Sequence, residues 1–145
     1  MIDYFDASVF VPFLMIEPHS RAVIDLMAEA QRPQVSDFVV AEVSSAVSRL
    51  VRTRTLTLTE ADAALHDLDD WIAATAAPIP IEGSDVREAT ALVRHFDLKL
   101  RAPDALHIAV CRRIDARLIT LDINMAAAAR ALDLSCINPA EGLAA

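Results

Sequence analysis

Residues 101–132 read RAPDALHIAVCRRIDARLITLDINMAAAARAL, and this stretch decides the fold class. Pro103 suits the first turn of a helix, where a missing N–H is not needed. The pattern predicts a helix over 103–115, with Leu106, Ala109 and Val110 turned to the core. Residues 117–121 form a short apolar run of strand type, and the alanine-rich residues 124–132 read as helix. Helix, strand and helix in succession, without a hairpin turn signal, imply a parallel sheet covered by helices.

The same alternation runs outward in both directions. Residues 2–5 predict a first strand, and 7–16 a helix with Val9, Phe10, Phe13 and Leu14 on one face, interrupted at Pro18. Ser20 is placed to cap a helix to residue 30, with Val23, Ile24 and Met27 inward. Residues 34–36 predict a second strand. Residues 37–54 predict a helix whose stripe is Val39, Val43, Ala46, Val47 and Leu50. Thr59 opens the next helix with Asp62 three residues on, and Leu65, Leu68, Trp71 and Ile72 carry its apolar face. Residues 78–81 (PIPI) are too short and too proline-rich for a central strand. Residues 84–96 predict a helix with Val86, Ala89 and Val93 inward, and 134–137 a last edge strand.

A chain of 145 residues predicts one domain over 1–140 with a short tail at 141–145. With 54% hydrophobic residues and two glycines, it can fill a core and carries no linker-like tract. The net charge of −8 speaks against a nucleic-acid binder held by an overall basic surface. Twelve of the thirteen basic residues are arginine, which grips phosphate as well as it makes surface ion pairs. Arg49, Arg52 and Arg54 are either a solvated helix end or a phosphate contact. Cys111 and Cys136 lack the spacing of a zinc or redox site and read as small apolar residues in a reducing compartment. Asp3 and Asp6 break the only early apolar run. No uncharged stretch reaches bilayer length. A cytoplasmic protein without a membrane span is expected.

Four carboxylates sit beside core-forming segments, where an unpaired charge is costly: Asp6, Glu42, Asp104 and Asp122. Capping explains Asp6 and Asp122, each followed by a helix, and the helix dipole favours Asp104 in a first turn. Capping does not explain Glu42. It lies a turn and a half into its helix, beside Val39, Val43 and Ala46. A buried charge there needs a partner, such as Arg101, or a metal. In parallel sheets ligands bind at the carboxyl ends of strands, where Asp6 and Asp122 are both expected. An all-oxygen donor set suits Mg²⁺ or Mn²⁺. His107, one turn after Asp104, is a weaker candidate. His19, His66 and His95 show no ligand spacing. No GxGxxG, P-loop or GxSxG motif occurs.

The ordered set YFDASVFV (4–11), AEVSSAVSR (41–49), LRAPDALHIAV (100–110) and LITLDINMAAAARAL (118–132) resembles PIN-domain proteins. Within them it is most similar to VapC-type toxins of type II toxin–antitoxin systems, over residues 2 to about 137. The resemblance implies a three-layer α/β/α fold around a short-stranded, mainly parallel sheet. It implies a metal-dependent endoribonuclease using Mg²⁺ or Mn²⁺, often on structured RNA such as tRNA. It further implies a homodimer and an inhibitory VapB-like antitoxin. The family's acidic quartet falls on Asp6, Glu42, Asp104 and Asp122, with Ser8 and Thr120 as supporting hydroxyls. Ala7 stands where threonine is common. Pro103 replaces a small residue, and Ile123 and Asn124 replace a basic or polar pair.

Three other classes compete. A non-catalytic PIN-like module would keep the fold and use the acids for protein contacts. A receiver-type signalling domain needs a late lysine, whereas Lys99, the only lysine, precedes the third acid. A phosphatase with Asp6 as nucleophile lacks the second acid two residues on, where Ser8 stands.

Overall fold

The structure is a computed structural model describing residues 1–15 and 20–141. Pro18, His19 and the last four residues of the expected tail lie outside the described residues. Glu141, at the start of that tail, is held by Arg130 at 2.7 Å.

Five strands form one all-parallel sheet in the order β3-β2-β1-β4-β5. They are β1 (Ile2–Phe5), β2 (Pro33–Ser36), β3 (Ala77–Ile79), β4 (Ala116–Ile119) and β5 (Cys136–Ile137). Among the described residues seven helices flank it: α1 (Phe10–Leu14), α2 (Ser20–Glu29), α3 (Asp37–Arg52), α4 (Leu58–Thr75), α5 (Gly83–Arg94), α6 (Ala102–Ile114) and α7 (Ile123–Ala131). The proline-rich β3 and the two-residue β5 are the edges, as their composition predicts.

The central β1 is buried on both faces, with Tyr4 and Phe5 fully enclosed. Its one buried charge, Asp3, lies opposite Arg117 of β4 in register and receives its Nε at 2.8 Å. Trp71 of α4 closes the core beneath α1, meeting Phe5, Phe10 and Phe13 edge-on.

The chain leaves β1 toward β2 on one side of the sheet and leaves β4 toward β5 on the other. The strand order therefore reverses between neighbouring β1 and β4. Such a reversal opens a crevice at the carboxyl ends of the two strands.

Several expected boundaries move for identifiable reasons. The helix expected over 7–16 is a 3₁₀ turn, Ala7–Val9, followed by the five-residue α1. Pro12 explains this: deep inside a helix it would clash with the preceding turn, whereas starting at Phe10 puts it in the first turn. Helix α4 starts at Leu58, with Thr57 rather than Thr59 as its cap. The Thr57 hydroxyl accepts from the Glu60 amide and the Glu60 carboxylate accepts from the Thr57 amide, both at 3.1 Å. Thr57→Ala is expected to lower stability by about 1 kcal/mol in urea denaturation, since an N-cap is lost. Helix α3 stops at Arg52, and Arg54 takes a left-handed φ of 59°.

Two residues expected inward, Ile24 and Val86, are exposed. In α5 the buried stripe is Asp85, Ala89 and Leu92. Asp85 is drawn inward by Arg113 of α6, and this turns the neighbouring Val86 to solvent.

Candidate active site

The crevice between β1 and β4 is built from short polar links. Asp6 follows β1, and its amide donates to Ile119 O at 3.2 Å, continuing the strand pairing by one residue. Its side chain is 3% exposed. Although Asp6 precedes a helical turn, its side chain caps nothing. It accepts from the Ser8 hydroxyl at 2.7 Å instead. Ser8 Oγ in turn accepts from the Leu121 amide at 2.8 Å and lies 3.3 Å from Thr120 Oγ1. Thr120 is fully buried, and its hydroxyl oxygen accepts from the Asp122 amide at 3.0 Å. Ser8 and Thr120 thus tie the end of β1 to the end of β4.

Asp122 does cap α7, accepting from the Met125 amide through Oδ1 at 2.9 Å. Asp104 is buried in the first turn of α6, with Arg101 Nε 3.7 Å away. The half-buried Glu42 does not meet Arg101. Its Oε1 lies 2.5 Å from Nε2 of His107, a residue 1% exposed. His107 Nδ1 is 2.8 Å from the Tyr4 hydroxyl, which donates to Ser36 Oγ at 2.8 Å. Burial holds the Tyr4 hydroxyl above its ordinary range, against the bond to Ser36, so it remains a donor.

The electrostatics of the crevice favour a cation. Burial pushes the Asp6 carboxyl up to about 6, although His107, Ser8 and Thr120 oppose the shift. Asp104 is also raised, first by burial and then by the negative charge of Asp122; Arg101 and His107 oppose it. Carboxylates and hydroxyls form a hard, all-oxygen donor set. Among the described residues, no three His, Cys, Asp or Glu side chains stand close enough to enclose an ion. Glu42 is turned to His107 and Asp122 to its own helix. The donor chemistry fits Mg²⁺, which keeps several waters and takes one or two carboxylates.

Beside the crevice runs an open groove of about 490 Å³, with Glu42 and Asp104 at its wall and Arg49, Arg52 and Arg101 along it. Arg52 donates to Ser48 at 2.8 Å. Arg54 does not line this groove.

A family model described as PIN domain matches residues 4–131. The chain belongs to the PIN-domain family. The PIN fold is equally visible in solved structures. The chain is similar to FitAcB from Neisseria gonorrhoeae, with a TM-score of 0.76 and 19% identity over 97% of this chain and 99% of that one. It is similar to VapBC2 from Rickettsia felis bound to a DNA fragment from their promoter: TM-score 0.70, 19% identity, 95% of this chain and 98% of that one. It is also similar to VapC20 from Mycobacterium tuberculosis, described as a Sarcin-Ricin loop cleaving toxin. Here the TM-score is 0.70, with 18% identity over 87% of this chain and 94% of that one. At these identities the likeness is one of fold. No curated protein matches the chain.

In this PIN domain, Asp6 and Asp122, the two acids expected past strand ends, follow β1 and β4. Sequence reasoning missed the Ser36, Tyr4 and His107 link to Glu42. The available signal was a histidine inside the apolar run ALHIAV, where both ring nitrogens must find partners once buried. No helix among the described residues is long and apolar enough to cross a membrane.

Proposed function

We propose that this PIN domain is a Mg²⁺- or Mn²⁺-dependent endoribonuclease, the toxin of a VapBC-type toxin–antitoxin system. The observation that carries this reading is the buried Asp6 carboxylate, bound to Ser8 and Thr120 at the reversal of strand order. Asp6, Glu42, Asp104 and Asp122 would hold the ion. When bound, it supplies a water of lowered pKa and a counter-charge for the leaving oxygen.

The protein's own groups do the rest. Ser8 orients the Asp6 carboxylate by donating to it, and Thr120 holds the Asp122 backbone. Arg49, Arg52 and Arg101 offer charge to phosphates lying along the groove, which answers the overall net charge of −8. Partners are RNA, with tRNA as the first class to examine, a second copy of the chain, and a VapB-like antitoxin. The likeness to VapBC2 and to a cleaving toxin supports this reading.

The test is incubation of purified protein with cellular RNA in Mn²⁺, Mg²⁺ or chelator, with sequencing of the new RNA ends. Metal-dependent ends at defined positions are expected. Inertness with both metals overturns the enzyme reading. Arg49→Glu is expected to raise KM with little change in kcat. It should also flatten the salt dependence by about one counterion per lost phosphate contact.

That no three acid or imidazole side chains close on one point among the described residues favours a second reading, a non-catalytic module that keeps the fold for protein contacts. It predicts no saturable Mn²⁺ binding that depends on Glu42.

A further inference from the structure

We propose that His107 is a positioning residue that sets the Glu42 carboxylate for metal binding, through a buried link running Ser36–Tyr4–His107–Glu42. This rests on the reading of Glu42 as a metal ligand.

Glu42 is the least constrained of the four acids. Its side chain is 28% exposed and has three rotatable bonds, whereas Asp6 and Asp104 are short and buried. Neither capping nor an arginine holds it. His107 does so from another helix, 65 residues away in the chain.

The imidazole is itself fixed on every side. Its ring packs against Tyr4 and Phe38, with centroids 5.8 and 5.7 Å away. The Tyr4 hydroxyl also lies 2.8 Å from Ser36 Oγ. His107 Nε2–H donates to Glu42 Oε1, and Nδ1 meets the Tyr4 hydroxyl at 2.8 Å, which settles the ring's orientation. Oε1 is then engaged and Oε2 is left to face an ion.

Ser36 adds a second tie. Its hydroxyl oxygen also accepts from the Val39 amide at 3.2 Å and so caps α3, the helix that carries Glu42. One link thus anchors both the start of α3 and the tip of its carboxylate. Outer partners of this kind orient ligating carboxylates, and losing one weakens metal binding by 10- to 100-fold.

The experiment is calorimetric Mn²⁺ binding at one pH to the wild type, His107→Leu, His107→Gln, Glu42→Gln and the double variant His107→Leu/Glu42→Gln. His107→Leu is expected to weaken binding by about 10- to 100-fold. The double variant should be no weaker than Glu42→Gln alone, because His107 acts through Glu42. His107→Gln, which keeps an N–H donor, should recover part of the loss. A purely structural histidine would lower thermal stability and leave Mn²⁺ affinity unchanged. Unchanged or tighter binding in a folded His107→Leu overturns the inference while the nuclease reading stands. No Mn²⁺ binding by the wild type overturns both. If His107→Leu does not fold, Tyr4→Phe replaces it. This variant removes the oxygen that orients the ring, so a smaller loss of affinity is expected, and wild-type affinity overturns the inference.

Discussion

Asp6→Asn is expected to abolish RNA cleavage, by at least about a thousandfold or ~4 kcal/mol of transition-state stabilisation, while making the metal-free protein more stable. Both effects have one cause. The wild-type carboxylate is enclosed at the end of β1 and has hydroxyl partners but no cation partner within bonding distance among the described residues. Asparagine still accepts from Ser8 but carries no charge to offer an ion.

The pH dependence follows from the direction of the shift. An unfolded aspartate titrates near pH 3.9, whereas burial raises Asp6 to about 6 in the folded chain. Between those values the folded chain keeps a proton that the unfolded chain has lost. The contribution is present in full at the acid end and is lost as pH rises through about 6. Two units correspond to about 3 kcal/mol. Urea denaturation in chelator should show this slope for the wild type and a flatter one for Asp6→Asn, with the variant ahead at pH 7. A variant that still cuts RNA at the wild-type rate would remove Asp6 from the site.

The second large effect concerns the fold alone. Arg113→Ala is expected to destabilise the protein by about 3 kcal/mol at pH 7, since it strips a buried carboxylate of its counter-ion. Asp85 receives Arg113 Nε at 2.7 Å and a second guanidinium nitrogen at 3.0 Å, and the Glu82 amide at 2.8 Å. Arg113 also reaches the Pro80 carbonyl at 3.0 Å, so it ties the approach to α5, α5 itself and α6 together.

Burial alone would raise the Asp85 carboxyl, but the Arg113 and Glu82 contacts outweigh it and hold it below the usual range. This stability is present above the unfolded value near 3.9 and fades as pH falls through the lower folded value. The wild type and Arg113→Ala should therefore converge as the pH approaches 3. Equal stability at pH 7 would show that the pair contributes nothing net. RNA cleavage, measured below the melting temperature, should be untouched.

Much of this architecture is legible in the chain because its cues are local. Strands buried on both faces read as short apolar runs, and proline marks β3 as an edge. The acids follow strands or open helices, so their shared edge can be predicted from chain order. What escapes is the choice between equally good local options. Thr57 and Thr59 both look like caps, and only the reach of Glu60 decides. Val86 looks like core until Asp85 is seen to be claimed by Arg113. Glu42 announces that it needs a partner but not which one. Its histidine comes from a helix far along the chain, and hydrogen-bond directionality across three elements is invisible in a one-dimensional pattern.

The order of the strands also has a consequence in time. β1 precedes β2 and β3 in the chain, yet its partner β4 follows them; Ser8 and Thr120 touch across 112 residues of chain. At ribosomal speeds that interval is on the order of 10 s. Pairing over such separations is slow even for a finished chain. Until β4 and the residues after it have been made, Asp6 therefore stands without Thr120 or Asp122 beside it. Whatever the completed crevice does to RNA, a nascent chain that has not yet reached β4 cannot do it to the messenger or ribosome that is producing it.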